Sequence, residues 1–209
     1  MRAVHILLGS LLVATLAPGA RADDLGEVLA KGPLVRIETD AGGKYRQATC
    51  IADVAADADT VWRVLTDYDQ YLFFMPRMKK LEVTREGNDA LMDIKLDTPL
   101  VATRYVNRMS PDHATKVLTV RQVKGDLTGS HYLWKVVPLG PGRARIHYSG
   151  VVKNFSSLAE SFEDEQQTLT IGINVVSLMA ATKAVKERAE LLVRQAASAG
   201  ATATPTAAP

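Results

Sequence analysis

Residues 51–71 read IADVAADADTVWRVLTDYDQY, and residues 72–83 continue LFFMPRMKKLEV. The first residues of this stretch close a strand pattern over Tyr45 to Val54. Tyr45, Gln47, Thr49 and Ile51 fall on one face of it, and Arg46, Ala48, Cys50 and Ala52 on the other. Asp57 or Asp59 then stands where a helix needs its N-cap acceptor. Val61, Trp62, Leu65 and Tyr68 follow at helical spacing. The segment from Tyr71 to Met78 is short, rich in rings and thioethers, and stopped by Pro76, which predicts a second small helix or turn.

From Lys79 onward the apolar period drops to two. Strands are expected over 79–86, 90–97, 101–109, 115–124, 130–138 and 143–153, with breaks at Gly87-Asn88-Asp89, Thr98-Pro99, Ser110-Pro111-Asp112, Gly125-Asp126 and Gly140-Pro141-Gly142. Upstream, Leu34 to Thr39 is a further short strand, and Asp24 to Lys31 a short amphipathic helical turn. Downstream, Leu169 to Gln195 has helical periodicity, and Lys183, Lys186, Arg188 and Arg194 enrich its last turns in positive charge. The order predicts an α+β fold. One curved antiparallel β-sheet wraps a long C-terminal α-helix, with two short helices near the start. One helix cannot fill the concave side of such a sheet, so a cavity is expected there.

Alternation sorts the concave candidates. Met92, Ile94 and Leu96 share a parity with Val101, Thr103, Tyr105, Asn107 and Met109; so do Tyr132, Trp134 and Val136, and then Ile146, Tyr148, Gly150 and Val152. The 115–124 strand is mixed on both faces, and its register stays open. Tyr105, Tyr132, Trp134 and Tyr148 each join an apolar ring to a polar handle that needs a partner when buried. They are either plain core or the wall of a pocket whose hydroxyls orient a ligand's head group. Met92 belongs with them. Tyr71, Phe73, Phe74 and Met75 are expected at the entrance, as a staple, a gate or a lip in transient contact with a membrane. Arg104 has outward parity; a bulge that turned it inward would make it an anchor for an anionic head group.

No HExxH, GxSxG, GxGxxG or GxxxxGK[ST] pattern occurs. His131 and His147 fall on neighbouring strands with outward parity and have no acidic or thiol neighbour in sequence, so no metal site, cofactor or catalytic set is assigned. Glu160, Glu163, Asp164 and Glu165 precede the long helix and either complement its dipole or send Glu160 or Glu163 into the cavity as a general base. Cys50, the sole cysteine, reads as a small buried side chain. These features weigh against an enzyme and toward a binding cavity.

The ends change the charge count. Residues 1–22 have a basic Arg2, an apolar run from Ile6 to Leu16 and the small-x-small site Ala20-Arg21-Ala22, the form of a cleaved signal peptide. The apolar run is shorter than the roughly 20 residues of a membrane span. Cleavage takes away Arg2 and Arg21 and no acid, which brings the 25 basic residues level with the 23 acidic ones and removes any charge argument for nucleic acid. The expected location is periplasmic or secreted. Residues 23–42 form a lead-in, 43–196 the folded domain, and 197–209 an Ala/Thr/Pro-rich disordered tail.

Val61, Trp62, Val64, Leu65, Asp67 and Tyr68, followed by Phe74 and Pro76, resemble the opening motif of the START-like (SRPBCC) superfamily. The likeness is to its polyketide cyclase/dehydrase and lipid transport branch, which also holds coenzyme Q-binding proteins. Lys183 to Ala189 is similar to that family's closing helix. The resemblance covers about residues 43–195 and implies the helix-grip fold with a hydrophobic ligand cavity. It implies a lipid, isoprenoid, quinone or sterol-like ligand, and export favours envelope lipid or isoprenoid handling. The leading expectation is an exported, non-enzymatic carrier or sensor of an apolar small molecule. A small-molecule cyclase or dehydratase, using polar residues such as Tyr105 inside the same cavity, is the alternative, and a ligand-free protein-interaction module is a third.

Overall fold

Asp57 sets the start of the first helix that follows the sheet. Its carboxylate accepts hydrogen bonds from the Thr60 backbone N–H at 2.7 Å and the Thr60 hydroxyl at 2.9 Å, which satisfies an otherwise orphaned helix N-terminal donor. The computed structural model describes residues 22–97, 103–126, 128–151 and 165–202. The expected leader before Ala22, the strand positions Val101 and Val152, and the acidic residues Glu160, Glu163 and Asp164 lie outside the described residues.

The chain runs through α1 (Ala22–Ala30), β1 (Leu34–Thr39), β2 (Tyr45–Val54), α2 (Ala58–Thr66), a 3₁₀ turn (Tyr68–Gln70) and α3 (Tyr71–Phe74). It continues through β3 (Met78–Glu86), β4 (Asp89–Leu96), β5 (Thr103–Asp112), β6 (Val117–Gly125), β7 (His131–Gly140), β8 (Arg143–Val151) and the last helix, α4 (Glu165–Thr202). The eight strands form one antiparallel sheet in the order β1-β2-β8-β7-β6-β5-β4-β3. α2, the 3₁₀ turn and α3 therefore carry the chain from the interior strand β2 to the far edge strand β3. This is the α+β helix-grip fold: an antiparallel sheet packed against a long C-terminal helix, with short helices after the early strands.

α4 buries Asn174, Val175, Leu178, Thr182, Val185 and Ala189, a stripe at three- and four-residue intervals. Val175 and Leu178 pack on Ala48 and Cys50 of β2. The helix lies chiefly over β2, with β8 and α2 beside it. Lower down it is tied to the end of β2: Lys186 Nζ donates to the Asp53 carbonyl at 2.7 Å, and Glu190 accepts the Ala55 N–H at 3.0 Å. On the opposite face, α1 covers β1 and β2 through Leu25, Val28 and Leu29 against Leu34 and Ile51.

Two expectations change. The sixth strand is Val117–Gly125, and it turns Leu118, Val120 and Gln122 inward. Its ladder with β5 slips between Val106 and Asn107, where β6 steps from Lys124 to Gln122. The final helix extends beyond 169–195 at both ends, and reaches Thr202. Ala196 to Thr202 contains no proline, and its alanines are strong helix formers, so the helix runs on into the segment read as tail.

Candidate functional site

The ladders place the ring-bearing residues in one connected group. Across the sheet, Met92 faces Asn107 and Ile94 faces Tyr105; Asn107 faces Gln122 and Val120 faces Tyr132; Trp134 faces Tyr148, and Tyr148 faces Cys50. All of these side chains share the concave face, because register partners point the same way. α4 lies mainly over β2 and β8, while α2 reaches β7 and β8 and packs with Leu118, Val120 and Trp134 in the main core.

Tyr105, Tyr132 and Tyr148 are half-buried. Burial pushes all three phenols up, Tyr132 to about 12 and Tyr148 well above its ordinary value. The three rings keep accessible surface at the margin of the main core, Tyr132 and Tyr148 between it and the cluster under α4. The domain bears a cavity able to bind a small apolar molecule. Its rings are fixed by contact: Trp134 and Tyr148 stack with centroids 3.6 Å apart and planes at 11°, and Tyr132 leans on Tyr148 at 5.9 Å. Gly150 makes room for the Tyr132 ring. A Cβ there would stand 2.4 Å from Tyr132 Cδ1 and 2.7 Å from the His131 carbonyl oxygen.

Amides stand on the same face. Gln122, 4% exposed, is set as deep as Trp134, and its Nε2 finds no hydrogen-bond partner among the described residues; the same holds for Oδ1 of the half-buried Asn107 opposite. Among the described residues of β5 to β8, no charged side chain shares the concave face. The polar chemistry of the wall is therefore that of neutral phenols and carboxamides. At neutral pH the phenols donate hydrogen bonds; they are not ionised bases.

The expected site residues divide. Tyr105, Tyr132 and Tyr148 stand on the open wall. Met92 (0% exposed) and Trp134 (3%) are packed in the main core, where they support the wall and do not form its surface. Phe74 packs edge-on against Tyr71 at 5.4 Å and lines a separate open groove of about 330 Å³ between α2 and the second half of α4, with Arg63, Val64, Asp67, Gln70, Arg188 and Leu192. Phe73 beside it is 76% exposed, whereas Tyr71 is buried and donates to the Leu65 carbonyl at 2.7 Å.

Arg104 is corrected. It keeps its outward parity and forks onto Asp93 at 3.0 and 2.6 Å on the convex face, because the β5–β6 bulge lies past it, between Val106 and Asn107. Gly125, at φ 97°, sits against the Arg104 backbone there; a Cβ would meet the Arg104 carbonyl oxygen at 2.3 Å. His113 accepts the Trp62 indole N–H on Nδ1 at 3.0 Å from its exposed turn. Cys50 is buried, and burial pushes its thiol up. His131 and His147 are not register partners; they face Val151 and Lys135. Sequence reasoning passed over Gln122 because its strand had no clear parity. It put Asn107 on the right face without singling it out.

Residues 54–171 match the family described as polyketide cyclase / dehydrase and lipid transport. None of the curated proteins matches the sequence. Among solved structures, the chain is similar to an aromatase/cyclase, Zhui, from Streptomyces sp. R1128, with 24% identity and a TM-score of 0.61 over 72% of this chain and 97% of that one. A protein from Thermus thermophilus aligns at 17% identity and a TM-score of 0.59, over 69% of this chain and 97% of that one. A START superfamily protein from Mycobacterium smegmatis aligns at 18% identity and a TM-score of 0.55, over 70% and 98% of the two chains. The expectation that weighed against an enzyme is overturned by the cyclase/dehydrase family match. Its physical basis was the lack of linear motifs, but phenols and amides gathered from separate strands leave no linear motif to find.

Proposed function

The chain belongs to the polyketide cyclase/dehydrase and lipid transport family, and from that premise we propose that it is a small-molecule cyclase or dehydratase. Its substrate is a largely apolar, carbonyl- and hydroxyl-bearing molecule held between the sheet and α4. The observation that carries this reading is the group of three phenols, Tyr105, Tyr132 and Tyr148, gathered on the concave face and kept protonated by burial. The family match and a fold relative that is an aromatase/cyclase support the same reaction class.

A neutral phenol in a dry cavity is a hydrogen-bond donor to a carbonyl oxygen, and there it stabilises charge that develops on that oxygen. In ring closure, the enol C=C electrons form the new C–C bond to the polarised carbonyl carbon as that carbonyl's electrons move to its oxygen; a phenol gives this oxygen its proton, and the enol O–H proton, released as the enol becomes a carbonyl, restores the phenol. In dehydration, the C–O bond breaks as a phenol gives its proton to the departing hydroxyl. The C=C bond forms as the neighbouring C–H proton is lost, and that proton restores the phenol. Both steps need donors, and donors are what this wall supplies.

The proposal includes export, supported by Arg2, the apolar run from Ile6 to Leu16 and the Ala20-Arg21-Ala22 site. An N-terminus at Asp23 in protein from the native host tests that part.

Catalysis is tested by incubating the full chain with an aryl β-hydroxy ketone and following the conjugated enone. The expected result is enone formation above the buffer rate, with at least one of Tyr105→Phe, Tyr132→Phe and Tyr148→Phe losing about 100-fold, the range of a general-acid contribution. A probe that binds and is recovered unchanged would contradict the enzymatic reading and leave a carrier.

A further inference from the structure

Gln122 and Asn107 are two carboxamides of the concave face with one unpartnered polar atom each among the described residues, where the hydroxyls of Tyr45 and Thr182 are also unpartnered. They are register partners on β6 and β5, on the same face, so their Cβ atoms stand about 5 Å apart. Gln122 Nε2 is a donor without an acceptor, and Asn107 Oδ1 is an acceptor without a donor, among the described residues. No hydrogen bond joins the two. A buried amide left this way costs on the order of 1–3 kcal/mol per group. The position is not accidental packing of polar surface, since apolar residues surround it: Met92 faces Asn107 across β4, and Val120 and Met109 lie next along the two strands. Tyr105 and Tyr132 flank the pair on the wall, Tyr105 two residues before Asn107 and Tyr132 opposite Val120.

One acceptor oxygen beside one donor nitrogen is the complement of a single hydroxyl group, which donates through its hydrogen and accepts on its oxygen. A carbonyl satisfies only Gln122, an ammonium only Asn107, and a carboxylate would be repelled by the Asn107 oxygen. We propose that Asn107 and Gln122 form a hydroxyl-recognition pair that selects phenolic, enolic or alcoholic substrates over their deoxy analogues. The inference rests on the cavity reading above and deepens it: the pair fixes which end of the substrate lies at β5–β6, and thereby which carbonyl meets the tyrosines. A substrate lacking the hydroxyl leaves both amides unpaired, and discrimination by such buried groups is stronger than discrimination by shape.

The test uses 2-naphthol and naphthalene as probes, with equilibrium dialysis against the full chain. The wild type is expected to bind 2-naphthol at least about tenfold more tightly than naphthalene, the equivalent of roughly 1.4 kcal/mol. Asn107→Leu and Gln122→Met, close in size to the originals, are expected to bring that ratio near one while naphthalene binding holds or improves. A residue with a structural role alone would weaken both probes together. If either variant fails to fold, 2-methoxynaphthalene decides the matter on the wild type: it keeps the oxygen and loses the donor, and is expected to bind several-fold more weakly than 2-naphthol. Equal binding of 2-naphthol and naphthalene, or a preference that survives both substitutions, overturns the inference, and a water retained between the amides gives that outcome. Failure of all three probes to bind the wild type overturns the cavity reading itself, which separates the two failures.

Discussion

The indole of Trp134 lies flat on the phenol ring of Tyr148, centroids 3.6 Å apart and planes at 11°. The pair sits at the junction of core and cavity: Trp134 is closed off by protein, while Tyr148 keeps accessible surface. The two substitutions therefore separate. Trp134→Ala removes a core ring and is expected to cost about 3–5 kcal/mol in denaturant unfolding. Tyr148→Phe keeps the stack and is expected to leave stability within about 1.5 kcal/mol of wild type. A small loss for Trp134→Ala would place the indole on the ligand's side of the wall.

Gly150 sets the position of Tyr132. Gly150→Ala forces a Cβ to within 2.7 Å of the His131 carbonyl oxygen as well as into the Tyr132 ring, so both strand and ring must shift. The variant is expected to lose about 1–3 kcal/mol of stability, the usual cost of overpacking. It should also weaken binding of 2-naphthol, because Tyr132 can no longer hold its place on the wall. Thermal melts with and without the probe measure both effects.

Much of this was legible from alternation and capping. β1 and β2 have the expected bounds, Asp57 caps α2, and Tyr105, Tyr132 and Tyr148 share a face because the period of a strand is two. β6 was not legible. Val117, Thr119, Arg121 and Val123 oppose Leu118, Val120 and Gln122 with no clear polar side, and the slip at Asn107 depends on a long-range pairing that no local pattern encodes. Gln122 was hidden for that reason. Parity put Trp134 on the correct face but could not tell a wall from the layer behind it, because that depends on where α4 stops covering the sheet.

Glu190 ties α4 to the end of β2 and gives an acid-side prediction. Burial alone would raise its carboxyl, but hydrogen bonds from Lys186 and from the Ala55 N–H outweigh burial and hold it below the ordinary 4.5. The unfolded chain takes up this proton first as the pH drops, so the stabilisation is present above about pH 4.5 and is lost as pH falls through the folded value. Chemical denaturation in steps from pH 6 to pH 3 is expected to show a shallower loss for Glu190→Gln than for wild type.

His147 acts in a higher window. Burial, then the charges of Arg145, Lys135 and Arg36, lower its imidazole below the ordinary 6.5, with Asp53 alone opposing. The unfolded state binds the proton more readily, so stability rises with pH and declines as pH falls below about 6.5 toward the folded value. His147→Gln is expected to flatten the stability curve between pH 7 and pH 5.5. A wild-type curve already flat there would contradict the assignment.

A crystal structure of the full chain soaked with 2-naphthol tests most directly whether the concave side of the sheet is where an apolar molecule goes. The naphthalene rings are expected against Tyr105, Tyr132 and Tyr148 on the concave face, with the hydroxyl between Asn107 and Gln122. Rings seated instead in the outer groove with Phe74, Arg63, Arg188 and Leu192, and none behind the sheet's tyrosines, would contradict the account.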